Sequence, residues 1–177
     1  MNTIHSFLWP ILLLGIAALQ AQDTDNENVR QGLSQLLDRW HRAAAEADFE
    51  EYFGLMSEQS VYIGTDASEH WDFTSFREFS KPYFERGRAW TFSAVERTLY
   101  LDDQAGIAWF DELLDTRMGL CRGSGVLKNE RGGWKIRQYI LSITVPNEQV
   151  DGLMLLKSAH DSLQVRELRG AGGLRPN

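Results

Sequence analysis

The first 21 residues of this 177-residue chain contain no Lys, Arg, Asp or Glu. All formal charge lies in residues 22–177, as 18 basic against 25 acidic side chains, for a net −7. No basic cluster stands out. Nucleic-acid binding needs clustered cations, so that class is excluded, as is an anionic membrane surface as the main partner. Cysteine is nearly absent as well. Cys121 alone cannot close an internal disulfide, so the core must stabilise the fold unaided. The longest apolar run, residues 7–19 (FLWPILLLGIAAL), has 13 residues and contains Pro10 and Gly15. A membrane-spanning helix needs about 20.

The short run ends in small residues at Ala17, Ala18 and Ala21, the pattern of a secretory signal with cleavage near Ala21. Export to the periplasm or the extracellular space is therefore expected. The start lacks Lys and Arg, which keeps an uncleaved anchor as the rival reading; the membrane would then be met only through this segment. Residues 22–28 (QDTDNEN) are polar and read as a linker. What remains is the length of one domain, expected over residues 29–149. Its core supply is ample, with 18 aromatics in residues 22–177.

From Val29, apolar residues fall at Leu33, Leu36, Leu37, Trp40, Ala44 and Ala47, one stripe of a helix. Asp48-Phe-Glu-Glu51 has capping-box spacing and starts a second helix through Tyr52, Phe53, Leu55 and Met56. A short strand at residues 60–63 is followed by a Gly64-Thr-Asp66 turn. Phe73, Phe76, Phe79, Tyr83 and Phe84 are again helical in spacing, with Pro82 expected to kink that helix or to start a second short turn. After Gly87 the period becomes two. Strands are expected over residues 90–101, 105–114, 119–128 and 134–145, joined by short hairpin turns. A last helix is expected over residues 150–168, and a disordered tail over 169–177. Helices first and hairpin-linked strands afterwards mean α+β with an antiparallel meander. Such a sheet twists and curls over its helices into a cone with a central pocket.

Four segments in this order resemble the SnoaL-like branch of the nuclear transport factor 2-like superfamily. They are Ile63-Gly-Thr-Asp-Ala-Ser-Glu-His-Trp71, Ala108-Trp-Phe-Asp-Glu112, Arg122-Gly-Ser-Gly-Val-Leu127 and Trp134-Lys-Ile-Arg-Gln-Tyr-Ile-Leu-Ser142, the last followed by Pro146-Asn147. The resemblance covers residues 29–148. It implies a cone-shaped α+β fold, a central pocket and a homodimer formed through the sheet. The superfamily includes isomerases, cyclases, dehydratases and non-catalytic binding members, so the fold does not choose an activity. Ile140 stands where relatives often carry a polar residue, and no catalytic residue transfers by motif.

Candidate chemistry rests on acids near aromatics. Asp66 and Glu69 sit where a strand meets a helix beside Trp71, where desolvation would make either a proton-transfer base. The plainer reading is an Asx turn, with Asp72 or Thr74 capping the next helix. Asp66, Glu69 and His70 lack a known metal-ligand spacing, so no metal or other cofactor is expected. Of the neighbours Asp111 and Glu112, alternation puts one on the helix-facing side of the sheet, and Arg122 is the expected partner. The pair is either a ligand-orienting site or a structural ion pair. Trp109, Tyr62, Trp71 and Tyr139 complete the expected ligand-binding set, for an apolar or carbonyl-bearing small molecule. Gly119-Leu-Cys-Arg-Gly123 mimics a nucleophile elbow, but a strand and hairpin follow rather than a helix, so Cys121 is read as an ordinary strand residue. His41 has no readable partner, and His160 is read as a packing residue. Three functions follow in order: an exported binding domain, an enzyme with a pocket carboxylate as base, and a dimerisation module with a filled hollow.

Overall fold

The computed structural model describes the backbone of residues 9–172 and the side chains of residues 24–172. Residues 1–8 of the expected signal and residues 173–177 of the expected tail lie outside the described residues. Among the described residues no helix is long and apolar enough to cross a membrane.

Two units are described separately, residues 1–143 and 144–177. The first opens with helix α1 (Trp9–Glu46), which runs through residues 22–28 where a linker was expected. Those residues hold neither Pro nor Gly, so nothing in them breaks a helix, and the polar side chains of residues 24–28 face solvent for the most part. The stripe read from Val29 onward is the buried one, with Leu33, Leu37, Trp40 and Ala44 at most 2 % exposed. Helix α2 (Phe49–Gly54) starts at Asp48, whose carboxylate accepts the Glu51 N–H at 3.0 Å. Only half the expected capping box forms. The Glu51 side chain turns outward to Arg39, and Asp48 N–H donates to Ala43 O instead.

Strand β1 (Met56–Ile63) is longer than expected and takes Met56 from the preceding helical pattern. A three-residue strand β2 (His70–Asp72) pairs back on it, and then comes α3 (Phe73–Glu85), capped by Asp72 through the Ser75 N–H at 2.8 Å. Helix α3 continues through Pro82 rather than stopping there. The carbonyl freed by the missing N–H belongs to Glu78; that residue and Pro82 are both exposed, so water can satisfy it. Strands β3 (Phe92–Asp102), β4 (Ile107–Thr116), β5 (Gly119–Glu130) and β6 (Gly133–Ile143) form the expected hairpin meander.

The six strands make one curved sheet in the order β2-β1-β6-β5-β4-β3. It is mixed rather than purely antiparallel, because β1 lies parallel to β6. The chain between them contains all the other strands and a helix, so β1 is not bound by hairpin geometry. Three register shifts interrupt the pairing. They fall between Met56 and Val61 where β1 meets β6, between Ala94 and Glu96 on β3, and between Val126 and Leu127 where β5 meets β6. The one on β3 decides which of its side chains face α1.

The second unit contains a short 3₁₀ turn (Asn147–Gln149) and helix α4 (Val150–Gly170). No residue of α4 is buried. His160 is exposed, against the packing role expected for it.

Candidate functional site

On β4 the side chains of Ala108, Phe110, Glu112 and Leu114 are buried on the helix-facing side of the sheet. Glu112 is thus the inward acid, and Asp111, half-buried, takes the other face. The register places Arg97 of β3 and Gly123 of β5 directly opposite Glu112. Arg122 is opposite Leu113 instead, exposed on the outer face, so the expected Glu112–Arg122 pair does not form. Arg97 takes that place. Its Nε donates to Glu112 Oε2 at 2.8 Å, and its Nη2 stands 2.8 Å from the same oxygen. The β3 bulge is the cause: with strict alternation from the inward Phe92, Arg97 would face outward.

The other carboxylate oxygen, Oε1, accepts from His41 Nε2 at 2.7 Å and from Tyr139 Oη at 3.0 Å. A carboxylate has no proton to give, so Nε2 must carry the hydrogen. Arg97 reaches further, with Nη1 donating to Ser34 O, Ser34 Oγ and Asp38 Oδ1 at 2.8–3.0 Å, and so ties β3 to α1. Burial alone pushes the Glu112 carboxyl up. The hydrogen bond and charge of His41, with those of Arg97, outweigh it and hold the group below the ordinary carboxylate range. Tyr139 is shifted the other way: burial, then the Glu112 charge, keep its hydroxyl protonated. A side chain at Gly123 would stand 2.3 Å from Tyr139 Oη and 3.0 Å from Glu112 Oε1, so the cluster depends on glycine there.

A cavity of about 820 Å³ lies nearby, in the first unit. Its walls include Tyr62, Trp71, Phe76, Phe79, Trp90 and Phe92. Tyr62 stacks on Phe76 at 4.0 Å between ring centroids, and Trp71 on Phe79 at 4.6 Å. Glu112 and Tyr139 are not among the lining residues. They sit behind the wall, Tyr139 stacked against Tyr62 at 5.6 Å and His41 edge-on to Phe92 at 5.9 Å. Burial and the Glu69 charge push the Tyr62 hydroxyl up, so it remains a donor.

Glu69, by contrast, lines the cavity. Its Oε2 accepts the Asp66 N–H at 3.2 Å and lies against Gly64, where a Cβ would come within 2.1 Å of it. Asp66 is exposed and makes the Asx turn of the plainer reading, accepting Ser68 N–H at 2.8 Å. Trp109 is 46 % exposed on the outer face, stacked on Tyr100 at 5.6 Å, and is not a cavity residue. Cys121 is a free, buried residue within β5.

Of the expected set, the structure brings Tyr62, Trp71 and Glu69 to the cavity, and Glu112 with Tyr139 to the cluster behind it. Sequence reasoning missed His41 and Arg97. His41 falls four residues after Leu37 and beside Trp40, on the buried stripe, which is a readable signal. Arg97 leaves none, because only the bulge turns it inward. Also missed were three arginines at the cavity, Arg86, Arg88 and Arg117.

Solved structures share this architecture. An NTF2-like protein of unknown function from Pseudomonas putida KT2440 matches at TM-score 0.58 with 13% identity, over 70% of this chain and 92% of that one. A protein from Streptomyces avermitilis, described only provisionally as a dehydratase of the NTF2-like family, matches at 0.57 with 13% identity, over 71% and 99%. An NTF2-like protein from Cytophaga hutchinsonii matches at 0.54 with 13% identity, over 65% and 98%. These likenesses establish the fold alone. No curated protein matches the chain. The SnoaL-like domain model matches residues 33–146, so the chain, whose fold is that of the NTF2-like structures above, belongs to the SnoaL-like family.

Proposed function

We propose that this protein is an exported small-molecule-binding domain whose ligand is an apolar, carbonyl-bearing compound held in the aromatic cavity. One observation carries the reading: the hollow is left open at about 820 Å³ by its aromatic walls rather than filled by side chains. Ligand sites commonly occupy 300–1,000 Å³ with mostly apolar walls and a few polar groups. A protonated Tyr62 hydroxyl supplies a donor for a ligand carbonyl. An open hollow also argues against a dimerisation module with a packed interior.

Glu112 has no part in proton transfer on this reading. Both its oxygens are engaged, it is 1 % exposed, and its carboxyl is held ionised. A second reading keeps catalysis. Of the four acids nominated by sequence, only Glu69 lines the cavity, on a wall shared with Tyr62, and would be the base of an isomerase-type reaction.

Export with cleavage near Ala21 and homodimerisation through the outer sheet face belong to the same proposal. The test is intrinsic fluorescence: Trp71 and Trp90 line the cavity, so titrating the mature chain with fused-ring ketones should quench tryptophan emission and raise the thermal midpoint. Trp71→Ala should lose most of the quenching. Ketones that leave both signals unchanged across the panel would end the binding reading.

A further inference from the structure

Three arginines line the cavity of a chain whose net charge is −7. Arg86 and Arg88 flank Gly87 after α3, and Arg117 sits in the β4–β5 turn. All three are exposed, and none forms an ion pair among the described residues. The Arg86 guanidinium lies over the Tyr83 ring, 4.6 Å from its centroid, which leaves its N–H groups free at the edge. Arg88 spends one donor on Thr91 Oγ1 at 3.3 Å. A guanidinium has five N–H donors, so most of this donor capacity is unspent. The C-terminus of α3 favours one cation near Arg86 through the helix dipole. It does not account for Arg88, and Arg117 is on a different element.

Two acids also line the cavity, Glu69 and Asp115, so the lining carries three positive and two negative groups. They are not equivalent. Glu69 already accepts a backbone N–H and is folded against Gly64. Asp115 is exposed and forms no ion pair among the described residues, so three guanidinium groups stand against one carboxylate and the unspent hydrogen-bonding capacity is positive in sign. Guanidinium donors in a planar fork match a carboxylate in geometry and charge.

Resting on the binding role proposed above, we infer that the ligand is an anion: an apolar ring body within the aromatic walls, with a carboxylate held by Arg86, Arg88 and Arg117. The probes are three anthracene derivatives of one ring size, bearing a carboxylate, an aldehyde or an aminomethyl group. The carboxylate should bind about tenfold tighter than the aldehyde, the equivalent of one charge-assisted hydrogen bond. That advantage should shrink as salt is raised. Replacing the three arginines by Gln should abolish the advantage while leaving aldehyde binding in place, which also shows that the variant is folded. Equal binding of carboxylate and aldehyde overturns the anion inference and leaves the cavity reading standing. Preference for the amine overturns it in favour of an aromatic cage for cations. Failure of all three probes removes both.

Discussion

At the scale of single residues, Glu112 is the group on which the interior turns. Three elements deliver its partners: α1 through His41, β3 through Arg97 and β6 through Tyr139. Removing one member of a buried pair leaves an uncompensated charge, at a typical cost of about 3–5 kcal/mol. Arg97 keeps Asp38 as a second partner, so Glu112→Gln should fall near the low end, about 3 kcal/mol in a urea titration. The acid limb should change too. Because the folded-state pKa is depressed, Glu112 contributes stability above its unfolded value of about 4.3, and that contribution is lost as pH falls through the lower folded value. The Gln variant should therefore lose less stability than the parent below pH of about 4.3. A parallel acid limb in the two proteins would contradict this account. That Glu112 faces inward was half legible, since alternation requires that one of two adjacent acids do so. Its partner was not. Arg122 looked right by proximity in sequence, yet the partner is decided by register and by an extra residue on β3, and a register shift leaves no mark in composition.

At the scale of elements, the most exposed weakness is α2. Six residues are too few for a helix to persist alone, so it depends on its cap and its packing. It carries Tyr52 and Phe53, both at most 1 % exposed, with Tyr52 stacked on Trp40 at 4.8 Å. Asp48→Ala should cost about 1 kcal/mol, read as a lower urea midpoint at unchanged slope. This element was legible because a cap is local chemistry, written in adjacent residues. The parallel seat of β1 beside β6 was not, because nothing in either strand names a neighbour so distant in sequence. The cavity walls lie between these cases. Phe76, Phe79 and Tyr83 were readable as one face of a helix, but not as facing an open space rather than a packed one.

At the scale of the whole molecule, the outer face of the sheet carries exposed apolar side chains among its polar ones. Val95, Tyr100 and Trp109 are 62 %, 44 % and 46 % exposed, and Leu113, Val126 and Ile140 are half-buried. If the proposed homodimer uses this face, Trp109→Glu should shift sedimentation from dimer to monomer, with the Glu112 cluster on the opposite face untouched. A parent protein that sediments as a monomer would refute the dimer. The same sheet has a consequence for the order of assembly. Strand β1 is hydrogen-bonded to β6, the last strand to leave the ribosome, so residues 56–63 can only pair with the short β2 until residue 143 has been made. The apolar stripe of α1 waits with them, since its contact to the sheet through Arg97 comes more than fifty residues later in the chain. Loop closure of that span must precede the contacts that reward it. A nascent chain that has not reached β6 lacks the strand that seats β1, and its sheet stays open on that side until residues 133–143 have been made.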